Sequence, residues 1–539
     1  MSQSGHYPRY QAPSENGQKL SVPPWTEAGD LLASNCQLRA NFSTTIAGCS
    51  LKELALQARR TAIAEAIAYT SEYVDVDFPI NEKSPTILIG HQPELVHPGV
   101  WLKNFAAHQL AQNTNGVAIS LIVDSDICRK VSIPIPTGFV DEPHVENVNI
   151  DLPSNEIPFE ERRILDRDVW NNFGSRASKA IAPLLDIDWL RPWWSEVAAQ
   201  SRNTPILGYA VAQARHSLEW QWGNRGLELP LSRVCQTAPF RKFAIHLLCQ
   251  AAKFRDDYNA ALADYRRAHS LRNRAQPVPD LMAVDGWVET PFWIWTKDNP
   301  QRRALYIQSS GSNLALTDRL DWQDNLHLSA THKTDATIAQ LENWEARGTK
   351  LRTRVLATTM YARMLLADLF IHGIGGAKYD QVTNEVCRRF FGHAPPPYVT
   401  LSGTLRLPIT HQKISLTQQR EISQHLRELR YHPESHLSDL KLGMHEQEQV
   451  QPLVAEKMAA IRTAKTSTNG ASRHQRIVAA NEAMQPWYVA RRAALEDQLQ
   501  HTSNKLRANR LLESREYPFC LFPRDHLRNF LLDFSSSIL

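Results

Sequence analysis

The chain has 539 residues, 42% of them hydrophobic and 22% charged, with a formal net charge of +4. That composition fits a globular protein with more than one sizeable core, and no run of about 18 apolar residues exists to span a membrane. Acids and bases are interspersed, which argues against a nucleic-acid face, and seven scattered cysteines without a CxxC pair point to a reduced, cytoplasmic protein.

Residues 1–30 are rich in Pro, Ser, Gly and Gln, a composition that predicts poor order, and nothing at their start reads as a secretory signal. From Leu51 to Tyr73, apolar residues at Leu51, Leu54, Ala55, Ala62, Ile63, Ala66 and Ile67 recur at helical spacing. An apolar run from Thr86 then stops at Gly90 and predicts a strand. A polar turn with two histidines and two prolines follows. Val100–Ala111 reads as a helix, and Val117–Val123 reads as a second strand that ends on Asp124-Ser125-Asp126. Residues 131–165 are Pro- and acid-rich and predict an excursion out of the sheet. Residues 175–270 are mostly helical by period, most clearly Phe240–Arg267. Trp287–Trp295 and Arg303–Gln308 flank the turn at Lys297-Asp298-Asn299-Pro300 and predict a hairpin. The middle of Leu351–Phe370 reads as helix.

From Gln418 the composition shifts to Glu, Gln, Arg, Lys, Leu and Ala at helical spacing, with breaks near His432-Pro433 and Asn469-Gly470. Two or three long helices folded into an antiparallel coiled coil are expected. The tail Tyr517-Pro518-Phe519-Cys520-Leu521-Phe522 is too apolar for solvent and is expected to dock on the core. The expected architecture is therefore α/β. A Rossmann-like parallel-sheet core spans 31–412, with inserted connecting segments at about 131–340. A helical coiled-coil arm spans 413–512, and a docking tail covers 513–539.

Strand, glycine-marked loop, helix, strand and acid form the most informative unit. In an open parallel sheet, ligands bind at the carboxyl ends of strands, and a helix N-terminus there offers N–H groups to anions. Gly90, His91, His97, Gly99 and Asp124 would crowd that edge, and Gln92 is a candidate binding residue beside them. His97 could hold a phosphate, or simply cap the helix. His91 could serve as a general base near neutral pH, or be a satisfied surface histidine. Lys103 lies one turn inside the helix and could reach an anion, or lie in solvent. Asp124 and Asp126 alternate along an extended segment and so share a face. They could bind a ribose, an amine or Mg2+, or only shape a turn.

A second glycine cluster, Ile371-His372-Gly373-Ile374-Gly375-Gly376-Ala377-Lys378-Tyr379-Asp380-Gln381, follows the apolar segment and opens another helix, read as Gln381–Phe391. Gly373, Gly375 and Gly376 permit close backbone approach. Lys378, Tyr379, Asp380 and Gln381 are candidate binding residues beside them, although a tight turn between packed helices would explain the same pattern. No HExxH spacing exists among the twenty histidines, and no metal ligand set is expected.

At these two loops the sequence resembles the bacillithiol-synthase-type cysteine ligases. Gly90-His91-Gln92-Pro93-Glu94-Leu95, then Pro98-Gly99-Val100-Trp101-Leu102-Lys103, then the strand ending in Asp124-Ser125-Asp126 resemble that family's first motif. Phe370–Gln381, followed by Phe390-Phe391-Gly392 and Pro395-Pro396-Pro397, resembles its second. His91 stands where the family has glutamine, and Ser125 stands where it has the histidine of an Asp-His-Asp cluster. Through that family the chain is similar to the class I aminoacyl-tRNA-synthetase-like nucleotidyltransferases. Val96-His97-Pro98-Gly99 lies in the place of their H-x-G-H signature, with Val100 in place of the final histidine. Lys465-Thr466-Ser467-Thr468 only faintly echoes their K-M-S-K-S loop.

The resemblance implies a ligase joining an amino acid, cysteine being the family's, to a small acceptor. His91, His97, Asp124 and Asp126 would be its catalytic residues. It requires no resident cofactor, and ATP or ADP with Mg2+ fits the nucleotide reading. The expected partners are small-molecule substrates and a second copy of the chain bound through the arm, with neither nucleic acid nor membrane. Two other readings stand beside it: a nucleotidyltransferase acting on a sugar or lipid precursor, and a non-catalytic coiled-coil scaffold.

Overall fold

The computed structural model describes residues 7–77, 81, 83–311, 313–328 and 335–534. Its central sheet has six strands: β1 (Lys19–Val22), β2 (Thr86–His91), β3 (Val117–Ile122), β4 (Leu227–Pro230), β5 (Leu369–His372) and β6 (Tyr398–Gly403). Their spatial order is β1-β6-β5-β2-β3-β4. β2 to β6 run parallel, and β1 is antiparallel to β6. The helices that position the site are α1 (Leu51–Thr70), α2 (Pro98–Thr114), α3 (Leu207–Gln221) and α4 (Ile374–Phe391).

Both faces of the sheet are covered, which is why the parallel strands read as continuous apolar runs. Ile87 and Ile89 of β2 pack into one core with Trp101, Leu102 and Phe105 of α2. Leu88, between them, faces the other core with Leu54 and Ile63 of α1 and Val382 and Val386 of α4. Each such buried aliphatic side chain contributes about 1.5–3 kcal/mol. The chain leaves β2 through α2 to reach β3 on one side. It leaves β5 through α4 to reach β6 on the other. β2 and β5 are hydrogen-bonded neighbours, with Ile371 beside Ile89. The crossovers therefore diverge from the gap between their carboxyl ends.

The structure corrects several sequence expectations. The stretch expected to be poorly ordered contains β1, whose Lys19 is buried, while residues 1–6 lie outside the described residues. Between the segments inserted at about 131–340, β4 returns to the sheet and pairs with Ile119–Ile122 of β3. Phe240–Arg267 divides into two helices, Ala238–Cys249 and Ala251–Ala268, at Gln250. α4 begins at Ile374, so Gly375 and Gly376 lie inside its first turn rather than before it.

The hairpin at Trp287–Thr296 and Arg303–Ser310 forms in a second, antiparallel sheet. Its register shifts between Glu289 and Trp293, where Pro291 removes a ladder donor. Leu351–Phe370 is helical in the middle and extended at both ends.

Between residues 416 and 512 lie four α-helices: α5 (Leu416–Tyr431), α6 (Met444–Arg462), α7 (Gly470–Met484) and α8 (Val489–Leu512). α5 packs along α8, and α6 along α7. Gln419 Nε2 donates to Ser503 Oγ at 2.9 Å near one end of the first pair, and Tyr488 Oη donates to Pro433 O at 2.6 Å at the other. Those two bonds make α5 and α8 antiparallel. The tail is docked: Phe519, Cys520, Leu521 and Phe522 are fully buried, with the Phe519 ring 4.3 Å from Trp101. No helix among the described residues is long and apolar enough to cross a membrane.

Candidate functional site

The gap between the carboxyl ends of β2 and β5 brings the two glycine loops together. Lys103 lies beneath both. Its Nζ donates to Gly90 O at 2.9 Å, and a Cβ built on Gly373 would stand 4.0 Å from the same nitrogen. Burial, then Arg215, pushes the Lys103 ammonium down to about 8. An ammonium has three donors, and one of them goes to Gly90.

Above Lys103 stands the first turn of α4. Its N-cap, Gly373, offers no side-chain hydrogen bond, and nothing lies within 4 Å of a Cβ built on exposed Gly375. The first-turn N–H groups of this helix thus have no side-chain cap, and the space over Gly375 is open. The turn is held in place from below by His372, whose Nε2 lies 2.7 Å from Asp380 Oδ2. Arg363 Nη1 donates to the same oxygen at 2.7 Å and to Asn384 Oδ1 at 2.8 Å. Burial opposes the Asp380 charge, but Arg363 and His372 hold its carboxyl below the usual range. Burial likewise lowers His372, against the pull of Asp380, so the imidazole is neutral near pH 7. Its Nε2–H therefore donates to Asp380, and the lone pair rests on Nδ1 under Gly376. His372 is not among the site residues expected from the sequence. The available signal is a histidine at a strand end, directly before a glycine loop.

A second compartment opens beside the first. A cavity of about 460 Å³ is lined by Gln92, Glu94, Asp126, Arg129, Lys130 and neighbouring residues. Asp126 accepts from Gln92 Nε2 and, at 3.0 Å, from Arg302 Nη1. Burial, then Asp126, raises the Glu94 carboxyl. The loop from Gly90 to Leu95 thus serves both compartments: its first carbonyl receives Lys103, and its later side chains line the cavity.

Three residues expected to be catalytic lie elsewhere. His91 is a buried acceptor. Its Nδ1 faces Gln92 O at 3.0 Å, and its Nε2 lies 3.1 Å from Arg215 Nη1 and 3.2 Å from Ser120 Oγ. Burial, then Arg215 and Lys103, keeps it far below its ordinary value. Its lone pair is thus committed to Arg215, and it does not serve as a general base. His97 caps α2, with Nδ1 accepting from Gly99 N at 3.1 Å. Val100 and Trp101 N–H both reach His97 O. A Cβ on Gly99 would overlap Gly403 O and stand 2.8 Å from Arg515 Nη2. The α2 start is therefore closed, and neither His97 nor Gly99 presents an anion site. Burial, then Arg515 and Lys103, lowers His97 to about 3.

Asp124 is wholly buried and accepts from Ser232 N at 2.9 Å, from Tyr209 Oη at 2.7 Å and from Ser232 Oγ. Burial, then Glu160, pushes it up to about 6 against those hydrogen bonds. β3 ends at Ile122, and the turn that follows points Asp124 inward and Asp126 outward. The two aspartates therefore do not share a face.

Of the second cluster, Lys378 is exposed, Tyr379 packs against the core, and Asp380 serves His372 and Arg363. Gln381 is buried, with its Nε2 donating to Pro8 O at 2.9 Å, so it binds the N-terminal segment rather than the gap. No protein-family model matches the chain, and no curated protein is significantly similar to it.

Proposed function

We propose that the chain is a ligase-type enzyme that joins an amino acid to a small acceptor at the carboxyl edge of the central sheet. One observation carries this reading: Lys103 reaches both glycine loops in the gap from which the β2 and β5 crossovers diverge. Such a gap is where doubly wound sheets take their ligands. The order of the five parallel strands, third-second-first-fourth-fifth in chain sequence, supports a Rossmann-like core. An anion, whether a nucleotide phosphate or a substrate carboxylate, would meet the Lys103 ammonium and the open α4 start. The neighbouring cavity carries both signs of charge, as a zwitterionic amino acid requires. Its carboxylate would face Arg129 and Lys130, and its ammonium would face Glu94 and Asp126. By resemblance that amino acid is cysteine.

Seven free cysteines accord with a reducing, cytoplasmic setting. The helices α5 to α8 would form an antiparallel coiled-coil arm. Exposed Met444 and Val489 offer a second copy of the chain a contact there. The test is a thermal-shift panel of ATP, ADP and cysteine, with Mg2+, on wild type, Lys103→Met and Gly375→Asp. Nucleotide should raise the wild-type midpoint, and both variants should lose that gain while keeping the cysteine response. Gly375→Asp adds an anion in open space at a helix start, so it should fold. A folded wild type that answers to none of the panel would sink the reading.

A further inference from the structure

The bend after α5 gathers a different chemistry. His425 and Glu428 lie three residues apart on one face of α5. The chain then turns through a 3-10 helix, Pro433–Asp439, in which His436 and Asp439 are again three apart. In a 3-10 helix that spacing places side chains directly over one another. The turn sets its pair against the helix pair. Ligand atoms of His425, His436 and Asp439 all lie within 4.8 Å of one another, and among the described residues no other group of three His, Cys, Asp or Glu comes as close.

We propose that this bend is a binding site for a zinc-class divalent ion, held by His425, His436 and Asp439. Two imidazoles and a carboxylate are the donor set that such ions take, and three protein ligands leave a fourth position for water or an outside ligand. A tetrahedral ion with bonds of about 2.0–2.1 Å holds its ligand atoms about 3.3–3.4 Å apart. His436 Nδ1 and Asp439 Oδ2 already stand 3.3 Å apart. The other nitrogen of the same ring, Nε2, lies 3.2 Å from Glu428 Oε2. That carboxylate fixes the ring with Nδ1 turned inward, the outer partner that metal-bound histidines usually have.

The third ligand supplies an independent observation. His425 Nε2 is buried without a hydrogen-bond partner, and its ring centroid lies 5.0 Å from that of His436. A buried, unmatched ring nitrogen is costly unless something occupies it. The scaffold is anchored on the far side, where Tyr488 Oη donates to Pro433 O at 2.6 Å and Lys457 Nζ donates to Tyr431 O at 2.8 Å. Asp439 is half-exposed at the rim, which leaves the fourth position reachable from solvent. The rival arrangement is metal-free, with the His436 ring hydrogen-bonded between Glu428 and Asp439.

The experiment uses the full chain without an affinity tag, freed of metal by chelation. Zn2+ is titrated by calorimetry, and Co2+ is followed by its visible absorption. Wild type should take up one ion per chain with the intense bands of a tetrahedral Co2+ site, and Zn2+ should raise its thermal midpoint. His425→Gln and Asp439→Asn should lose that uptake. Glu428→Gln should bind about 10–100-fold more weakly. His432→Gln, at an exposed position outside the cluster, should bind as wild type does. Circular dichroism of each variant separates lost ligands from lost fold. A wild type without stoichiometric uptake would overturn the site and leave the metal-free arrangement. So would a folded His425→Gln/Asp439→Asn chain with unchanged binding and Co2+ spectrum.

Discussion

A Cβ on Gly376 would stand 2.8 Å from Nδ1 of His372, so the first turn of α4 rests directly on that imidazole. The ring cannot yield, because its Nε2 is fixed on Asp380. Gly376→Ala is therefore expected to cost about 1–3 kcal/mol and to weaken anion binding at the turn. Gly375→Ala meets open space at a helical position and should be neutral or stabilising by up to about 1 kcal/mol. Urea unfolding of the two variants checks the contrast.

Arg363 is the counter-ion of a buried carboxylate. Arg363→Met should cost about 3–5 kcal/mol at pH 7, because Asp380 is left charged without its main partner. The folded-state value of Asp380 is depressed, so the stability it confers is fully present above its unfolded value of about 3.9 and is lost as pH falls toward the folded one. The gap between wild type and variant, followed by chemical denaturation, should be widest near pH 7 and narrow under acid as Asp380 takes a proton.

His97 is lowered to about 3 in the folded chain. A buried neutral histidine contributes stability above its unfolded value of about 6.5 and loses it as pH falls toward the folded value. His97→Asn keeps a helix cap but removes the titration. Between pH 6.5 and 3, the variant's stability should fall less steeply than that of wild type, by up to about 1.4 kcal/mol per pH unit. Equal slopes would refute the buried, neutral assignment.

Asp124 is a structural acceptor, so Asp124→Asn should lower stability by about 1–3 kcal/mol through its lost hydrogen bonds. Ligand stabilisation in the thermal-shift panel should survive in the folded variant. A variant of wild-type stability that no longer binds would return Asp124 to the site.

The docked tail completes the core around α2. Phe519 lies 4.3 Å from Trp101 and 5.5 Å from Trp193, wholly buried. Phe519→Ala should cost about 3–5 kcal/mol, read as a lowered denaturation midpoint.

Which of these relationships can be read from sequence follows from their range. β2, α2 and β3 are legible because each is a strong local pattern bounded by Gly90, Pro98 and Asn115. Lys103 is legible as a helix residue one turn from the edge. β4 is not, since Leu-Glu-Leu-Pro is too short to carry a period. Alternation would put Asp124 and Asp126 on one face only in a strand that continues, whereas β3 stops at Ile122. His91 and His97 look available in a polar loop, and only tertiary packing against Arg215 and Arg515 closes them. The pairing of His372 with Asp380 is set by the way α4 settles on β5, which no local spacing encodes.

β1 bears on how the molecule keeps to itself. It occupies the outer side of β6, pairing Lys19–Val22 with Thr400–Gly403. A chain trimmed of its first 24 residues would bare the backbone donors and acceptors of β6, a template onto which another extended segment could add. The short N-terminal strand thus covers the β6 edge, on the far side of β5 and β6 from the gap at Lys103.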